Sequence, residues 1–270
     1  MDIKVLSSGS KGNTTYVDCG NIKLIIDMGN NCKYVVDKLK GLGINPRDID
    51  AILITHTHSD HIKGLKSFVS RYNTKVYITK GMLGDLSYLE TYSIMDKECS
   101  IIGDVLINTI KTSHDAPDSV GYIITHNNKS LVYITDTGYI NKKYFKLLSN
   151  KDIYVLESNH DIELLSNSSY PFYLRQRILG DKGHLSNYDA SRYLSLFIGD
   201  NTKYIFLAHL SEENNTPDLA YDTLIERLNE DEKDIPNVII ALQDKETELV
   251  SVWLKFYVLV RLKNLLWEML

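Results

Sequence analysis

The chain has 270 residues, of which 43% are hydrophobic, and its formal net charge is −5. This size suits one large α/β domain or two small ones, and we expect one domain with a sizeable core. The acidic balance argues against a generally basic nucleic-acid-binding surface, although a local basic groove stays open. Three scattered cysteines argue against a disulfide or thiolate-zinc framework, and with no apolar leader after Met1 we expect a cytoplasmic protein.

The first two predicted strands, Ile3 to Leu6 and Thr14 to Asp18, flank a turn rich in glycine and serine. Backbone N–H groups and hydroxyls in such a turn favour phosphate binding, and a lysine adds positive charge. The composition alone favours the alternative, an ordinary polar loop. Ser8, Lys11 and Asn13 are therefore the candidate substrate-binding residues of this segment.

The next predicted elements lead to a buried strand. Ile22 to Ile26 reads as a strand, and Lys33 to Lys40 reads as a helix that closes at glycines. Ala51 to Ile54 is an apolar run bounded by polar residues, which suits a strand covered on both faces. The residues that follow it are expected on a loop held by this rigid strand.

That loop carries three histidines and an aspartate, His56, His58, Asp60 and His61. In an extended or turning segment, His56 and His58 point to the same side and reach one ion, whereas Asp60 and His61 turn toward a second. Imidazole and carboxylate suit zinc, manganese and iron, and an aspartate among histidines favours a catalytic site over a closed structural one. The pattern predicts two metal ions rather than a polar surface turn.

Beyond this loop the pattern continues with helices and strands. It predicts a helix from Ile62, a parallel strand over Val76 to Thr79, a short helix over Gly81 to Glu90 and a strand over Val105 to Ile110. Three later strand ends each present a histidine or an aspartate: His114, Asp136 and His209. We expect these strand ends to converge with the first cluster, whereas His126 lies in a polar turn and is predicted to be on the surface.

Strands and helices that alternate, with a break near the middle, predict two halves packed sheet to sheet with helices outside. The run Thr55 to His61, followed by Gly64, resembles the signature of the metallo-β-lactamase superfamily, whose αββα sandwich of two mixed sheets fits this pattern. The resemblance places Asp27 behind the metal histidines. It implies that one metal is held by His56, His58 and His114 and the other by Asp60, His61 and His209, with Asp136 bridging.

Further motifs indicate which branch of the superfamily the chain resembles. A carboxylate at position 136 resembles the two-metal phosphodiesterases more than the β-lactamases. The stretch from Asp136 to His184 is too short for the inserted domain of a β-CASP nuclease. Glu157 and His184 resemble the proton-relay pair of the tRNA 3′-processing nucleases, with His184 opening a helix.

Longer motifs resemble the YycJ/WalJ/VicX group over about residues 1–250. They are Glu157 to Asp161, Tyr170-Pro171, Gln176 to Leu179, Gly183 to Asn187 and His209 to Pro217. The resemblance implies a hydrolase domain over 1–250 with 5′-to-3′ exonuclease activity on double-stranded DNA, and a link to the cell-wall two-component system of Gram-positive bacteria. DNA with a 5′-phosphate end is the implied partner.

The expected chemistry uses two divalent ions about 3.5–4 Å apart, zinc or manganese with iron as a further option, and a metal-bridging hydroxide as nucleophile. Asp60, Glu157 and His184 are the predicted catalytic residues, and His184, oriented by Glu157, is expected to protonate the leaving group. No serine or cysteine lies in a nucleophile-elbow pattern, so covalent catalysis has no candidate.

Basic residues before His184 are candidate substrate contacts. Arg175, Arg177 and Lys182 are predicted to bind a 5′-phosphate, with a solvated helix face as the alternative. His160 is interpreted as a substrate contact or, equally, as a packed structural histidine.

The last segment, 251–270, leaves the family pattern as an apolar tail of unknown role that contains both tryptophans. Charges interrupt it without collecting on one face, so we expect no membrane span and instead packing on the domain or on a second subunit. Packing on a second subunit would make the protein a homo-oligomer. Two other functions also stay open: a metal-dependent hydrolase of a small thioester, lactone or cyclic phosphate, and a non-catalytic regulatory binding protein.

Overall fold

A first sheet is formed by the amino-terminal half of the chain and one strand from its end. The computed structural model describes residues 1–95 and 99–253, and within them this sheet has seven strands. The strands are β1 (Asp2–Ser7), β2 (Thr14–Asp18), β3 (Lys23–Ile26), β4 (Ala51–Leu53), β5 (Lys75–Ile78), β6 (Tyr92–Ile94) and β14 (Val250–Ser251). Their order is β14-β1-β2-β3-β4-β5-β6, with antiparallel pairs up to β3 and parallel pairs from β3 to β6.

The second sheet follows the chain order strand by strand. Its strands are β7 (Cys99–Ile102), β8 (Val105–Lys111), β9 (Val120–His126), β10 (Lys129–Ile134), β11 (Ile153–Glu157), β12 (Tyr204–Ala208) and β13 (Asn237–Ile240). The pairs from β7 to β10 are antiparallel, and those from β10 to β13 are parallel. The carboxyl ends of β10, β11 and β12 therefore meet at one edge, where site residues can converge.

Helices connect the strands. They are α1 (Cys32–Gly41), α2 (Ser59–Ile62), α3 (Leu65–Tyr72), α4 (Phe145–Leu148), α5 (Ile162–Ser166), α6 (Phe172–Leu179), α7 (Asn187–Phe197) and α8 (Pro217–Glu230), with 3₁₀ turns at Pro46–Asp48, Lys80–Leu83 and Lys142–Tyr144. Asn31, Ser186 and Thr216 cap α1, α7 and α8 by accepting a backbone N–H with their side chains. Local sequence thus fixes where these helices begin.

Alternation along the central strands divides the apolar residues between two cores. In β11, Ile153 and Val155 face the core shared by both sheets, whereas Tyr154 and Leu156 face a second core that includes residues of α7 and α8. The shared core also contains apolar residues of α1 and α3, such as Leu39 and Phe68. Helices therefore cover the sheets from outside, and the predicted α/β sandwich of two mixed sheets is confirmed.

Two local predictions are wrong. The helix predicted over 81–90 is a 3₁₀ turn at Lys80–Leu83 followed by further turns, because glycines at 81 and 84 weaken helix formation. His126 is buried rather than on the surface: it ends β9, and its Nε2 lies 3.1 Å from Asp104 Oδ2. The ring of Trp253 also packs edge-on against it, a contact from the far end of the sequence.

The start of the apolar tail is attached to the first sheet. Val250 and Ser251 pair with β1, and the Trp253 indole N–H donates to Asp2. The domain boundary expected near residue 250 therefore falls within a strand of the sheet. The expected packing of the rest of the tail concerns residues 254–270, which lie outside the described residues. In the ranges 1–95 and 99–253, no helix is long and apolar enough to cross a membrane.

Candidate active site

Strand ends place the site residues, and some of them have strained backbones. Asp27, Asp136 and His209 follow β3, β10 and β12, and their φ angles are 58°, 56° and 56°. Such left-handed conformations are unfavourable for residues other than glycine and persist only where the surroundings impose them. At each of these positions the chain turns sharply, and the side chain is buried beside the site.

The first donor set consists of His56, His58 and His114, which the sequence assigned to one metal. Their ligand atoms all lie within 4.8 Å of one another. His58 Nδ1 lies 3.1 Å from His56 Nε2 and 3.2 Å from His114 Nε2. Burial lowers the pKa of His56 and of His114, which keeps these imidazoles in the neutral form that binds metals.

The second donor set consists of Asp60, His61 and His209, and its ligand atoms also lie within 4.8 Å of one another. Asp136 lies between the two sets. Its Oδ2 is 3.2 Å from His61 Nε2 and its Oδ1 is 3.9 Å from His114 Nε2. All seven residues predicted as ligands are therefore brought together, and bridging by Asp136 stays a prediction.

The surroundings of these side chains fit metal binding. In four of the histidines, Nδ1 points away from the centre and contacts a hydrogen-bonding partner. His61 Nδ1 lies 2.8 Å from Asp27 and His209 Nδ1 lies 2.9 Å from Glu157. His114 Nδ1 lies 3.3 Å from the Gly183 carbonyl oxygen and His56 Nδ1 lies 3.1 Å from the Thr55 hydroxyl. Such partners orient metal-binding histidines. Among the described residues, Asp136 Oδ2 and His209 Nε2 are buried without a hydrogen-bond partner, as expected of atoms that a cation would satisfy.

Asp27 organises the loop that carries the first cluster. It is fully buried and accepts hydrogen bonds from the Thr55 backbone N–H and hydroxyl, both at 2.8 Å, besides its contact with His61. Burial raises the pKa of Asp27, and these hydrogen bonds oppose that rise. The position predicted from the family pattern, behind a metal histidine, is the one observed.

Two glycines let the same loop lie close to the 28–30 segment. A Cβ at Gly29 would come within 1.7 Å of the Asp60 carbonyl oxygen, and one at Gly64 within 2.1 Å of the Asn30 carbonyl oxygen. Backbone hydrogen bonds join the segments, from Met28 N to His61 O at 2.8 Å and from Gly64 N to Met28 O at 2.9 Å. The Gly64 noted in the sequence is thus required by close backbone approach.

Glu157 and His184 form a contact next to the second donor set. Glu157 Oε1 lies 2.7 Å from His184 Nδ1, and its Oε2 accepts from the backbone N–H groups of Thr137 and Leu185 at 3.0 and 3.1 Å. Although burial opposes ionisation, His184 and the hydrogen bonds of both histidines lower the pKa of Glu157 to about 2. His184 lies three residues before α7, so it precedes the helix rather than opening it.

The turn between β1 and β2 lies beneath the ligands. Ser8 Oγ accepts a hydrogen bond from the backbone N–H of His209 at 2.7 Å, and Asn13 Nδ2 lies 3.0 Å from His61 Nε2. Lys11 Nζ pairs with Glu212 at 2.9 Å on the surface. Ser8 and Asn13 are buried against ligands, which favours a positioning role for both, and substrate binding by this turn stays a prediction.

The basic residues near α6 have differing partners. Arg177 Nε donates to Asp115 Oδ2 at 2.7 Å, and Asp115 Oδ1 lies 3.6 Å from His58 Nε2. Arg175 donates to the Ser166 carbonyl, and Lys182 is exposed. Phosphate binding by these residues stays a prediction. Asp115 was not among the predicted site residues, although its place directly after His114 was a usable signal.

His160 is placed in the interior. It is 1% exposed, and within the described part of the chain neither ring nitrogen has a hydrogen-bond partner. Burial lowers its pKa to about 4. Its backbone pairs with Ser186, and its carbonyl accepts from the Asn187 N–H at 2.9 Å. This burial favours the interpretation as a packed histidine over that as a substrate contact.

Known proteins are similar to this chain in sequence and in fold. A family model described as the beta-lactamase superfamily domain matches residues 33–197. Exodeoxyribonuclease WalJ of Streptococcus pneumoniae serotype 2 is 37% identical over 233 residues, which cover 83% of this chain and 87% of that protein. Exodeoxyribonuclease YycJ of Bacillus anthracis is 35% identical over 237 residues, covering 85% of this chain and 90% of that protein.

The fold is also that of a solved structure. The crystal structure of YhfI from Bacillus subtilis, a metallo-beta-lactamase fold protein, matches with a TM-score of 0.69 at 18% identity, covering 92% of this chain and 99% of that one. This likeness confirms the αββα fold. The family model and the two relatives show that the chain is a metal-dependent hydrolase of the metallo-β-lactamase superfamily and belongs to the group of WalJ and YycJ.

Proposed function

We propose that this hydrolase is a nuclease, and specifically an exonuclease that degrades double-stranded DNA from the 5′ end. The observation that carries the proposal is the contact of the Glu157–His184 pair with the second donor set. Glu157 Oε1 lies 2.7 Å from His184 Nδ1 and 2.9 Å from His209 Nδ1. The names of WalJ and YycJ, both called exodeoxyribonucleases, support DNA as the substrate.

The donor sets fit two divalent ions, zinc or manganese with iron as a further option. His56, His58 and His114 would hold one ion, Asp60, His61 and His209 the other, and Asp136 would contribute to both. When bound, such ions polarise phosphate oxygens as Lewis acids and lower the pKa of a water nucleophile. The presence of both complete sets supports catalysis over a purely regulatory role.

The chain's own residues would handle the leaving group. His184 is about one-sixth exposed, so it can reach a substrate, while Glu157 beneath it is fully buried. The carboxylate accepts a hydrogen bond from Nδ1 and so orients the ring, which leaves Nε2 to pass a proton to the departing oxygen. Two backbone N–H groups fix Glu157, so the pair is positioned before substrate binds.

Basic side chains near this pair would bind the phosphate groups of the DNA. Arg177 lies close to the first donor set through Asp115, and Lys182 is exposed two residues before His184. We propose that these residues and Lys11 contact the phosphates at the 5′ end.

Cys19, Cys32 and Cys99 are free thiols, which supports the proposed location in the cytoplasm.

The proposal is tested with end-labelled duplex DNA carrying either a 5′-phosphate or a 5′-hydroxyl, incubated with the protein and Mn²⁺ or Zn²⁺. We expect stepwise loss from the 5′ end, faster with the phosphate, and no loss with His58→Ala. Absence of metal-dependent cleavage of DNA or RNA would contradict the proposal and direct the search to small thioester, lactone or cyclic phosphate substrates.

A further inference from the structure

The helix α6, which precedes the His184 segment, exposes two aromatic side chains. Phe172 is 70% exposed and Tyr173 is 73% exposed, and within residues 1–95 and 99–253 they are the two most exposed large hydrophobic side chains. All eight residues of α6 are at least partly exposed, so packing does not explain them. An exposed aromatic pair next to a catalytic site is typical of a binding surface.

Contacts at both ends connect α6 to the two donor sets. At its carboxyl end, Arg177 pairs with Asp115, which lies 3.6 Å from His58 Nε2 of the first set. Just before its amino end, Tyr170 interacts with Ser211 and Asn214, in the loop that follows His209 of the second set. Residues at both ends of the helix therefore contact segments that carry or follow the ligand residues.

The catalytic loop is attached to the same helix. The His184 N–H donates to the Ile178 carbonyl at 3.0 Å, and a Cβ at Gly138 would come within 2.3 Å of the Asp181 carbonyl oxygen. Gly138 lies two residues after Asp136. The proposed proton donor is thus joined to α6 by a backbone hydrogen bond, and the segment after Asp136 lies against Asp181, just beyond the end of that helix.

Charge and spacing indicate what binds there. Residues 171–180 include Arg175 and Arg177 and have no acidic residue, in a chain whose net charge is −5. Aromatic rings interleaved with basic side chains are the usual surface for unpaired nucleotides, because each base stacks on a ring while cations attract the phosphates. Tyr173 and Arg177, four residues apart, lie on the same face of the helix and about 6 Å apart along its axis, so one strand can contact both.

We propose that Phe172 and Tyr173 form a stacking platform for the unpaired terminal bases of the DNA substrate. The proposal rests on the proposed nuclease function. Bases that leave the duplex at the site would stack on the aromatic pair, so the platform would hold the frayed end while the phosphates contact the basic side of α6. The same surface would make the protein bind a short single-stranded overhang more tightly than a blunt end.

The test uses the metal-loaded protein and a duplex with a short overhang that contains 2-aminopurine and phosphorothioate linkages, so that the DNA is not consumed. Wild-type protein should quench 2-aminopurine fluorescence by stacking. The double variant Phe172→Ala, Tyr173→Ala should lose the quenching and bind the overhang more weakly by on the order of tenfold. A Phe172→Leu, Tyr173→Leu variant, which keeps apolar area without rings, should behave like the alanine variant, and a Phe172→Tyr, Tyr173→Phe variant should retain quenching.

Leu196→Ala on α7, which also removes an exposed apolar side chain, is the matched control and should leave binding unchanged. Thermal melting of each variant reports on folding. If wild-type protein binds DNA without quenching and the alanine variant binds equally well, the platform is wrong although the nuclease function stands. If wild-type protein neither binds nor cleaves DNA, the nuclease function itself fails. If the alanine variant instead turns a dimer into a monomer in sedimentation experiments, the pair is a subunit contact and the platform is likewise overturned.

Discussion

Individual residues carry the chemistry, and most of them were identified from their place at strand ends. His56, His114, Asp136 and His209 follow apolar strands in the sequence and converge in the structure. Residues that support them were harder to find. The contact from Ser8 to His209 spans 201 positions, and such pairings leave no periodic pattern in a single sequence.

At the residue scale, His184→Ala should lower kcat on duplex DNA by about 10²–10⁴-fold, because the proposed proton donor is lost. Metal content, measured by mass spectrometry, should stay at the wild-type level, since His184 belongs to neither donor set. In the His184→Ala background, a further Glu157→Gln change should cost less kcat than the same change in the wild type, where it affects both His184 and His209. Independent and fully additive losses would contradict action as a pair.

Asp27→Asn should weaken metal binding by about 10–100-fold, because His61 loses the carboxylate that orients its ring. The measurement is a metal titration in competition with a chromophoric chelator. Asp37→Asn, at an exposed position on α1, is the matched control and should bind metal as the wild type does. Equal affinity in the Asp27 variant would show that the buried carboxylate does not support the ligand.

At the scale of elements, regular patterns predicted the central strands and the longer helices. The predicted strand Thr14 to Asp18 has the bounds observed for β2, and Lys33 to Lys40 lies within α1. The short edge strands β6 and β7 were missed because three or four residues carry too little pattern. The helix predicted over 81–90 does not form for a different reason, because two glycines there outweigh a few apolar residues.

Gly29→Ala tests the close approach between the metal loop and the 28–30 segment. The new Cβ would overlap the Asp60 carbonyl oxygen, so we expect the free energy of unfolding to fall by about 1–3 kcal/mol or more, with weakened metal binding. Gly41→Ala, at the end of α1 with open space around it, should be neutral or slightly stabilising. Urea denaturation of both variants makes the comparison, and equal stabilities would contradict the steric argument.

At the scale of the whole molecule, the sandwich brings two halves of the chain to one edge. The first donor set combines His56 and His58 from the first half with His114 from the second, and the second set combines Asp60 and His61 with His209. This convergence was predicted from the histidines and aspartates at strand ends, and the division into two ligand sets was implied by the family resemblance. The burial of His126 could not be predicted, because it depends on Asp104 and on the Trp253 ring at the other end of the chain.

The stability of the whole fold should depend on pH through His160. Burial lowers its pKa to about 4, whereas in the unfolded chain it is about 6.5. Below pH 6.5 the unfolded chain therefore gains a proton that the folded one does not. The contribution of His160 to the free energy of unfolding is lost progressively as the pH falls toward 4. Between pH 7 and pH 5 it amounts to about 2 kcal/mol.

Urea denaturation of wild type and His160→Leu at both pH values measures this contribution. The wild type should lose about 2 kcal/mol more than the variant on going from pH 7 to pH 5. The variant removes the titrating ring from this buried position. Identical losses in the two proteins would show that His160 is not held neutral by the fold.

Cleavage of DNA should require that both donor sets be filled. The most direct test is the initial rate of duplex DNA cleavage as Mn²⁺ is added in equivalents to protein stripped by a chelator. We predict that the rate rises until two equivalents are bound and that Asp136→Asn, which removes the carboxylate between the sets, abolishes most of it. Full activity at one equivalent, or cleavage by the stripped protein, would contradict the account.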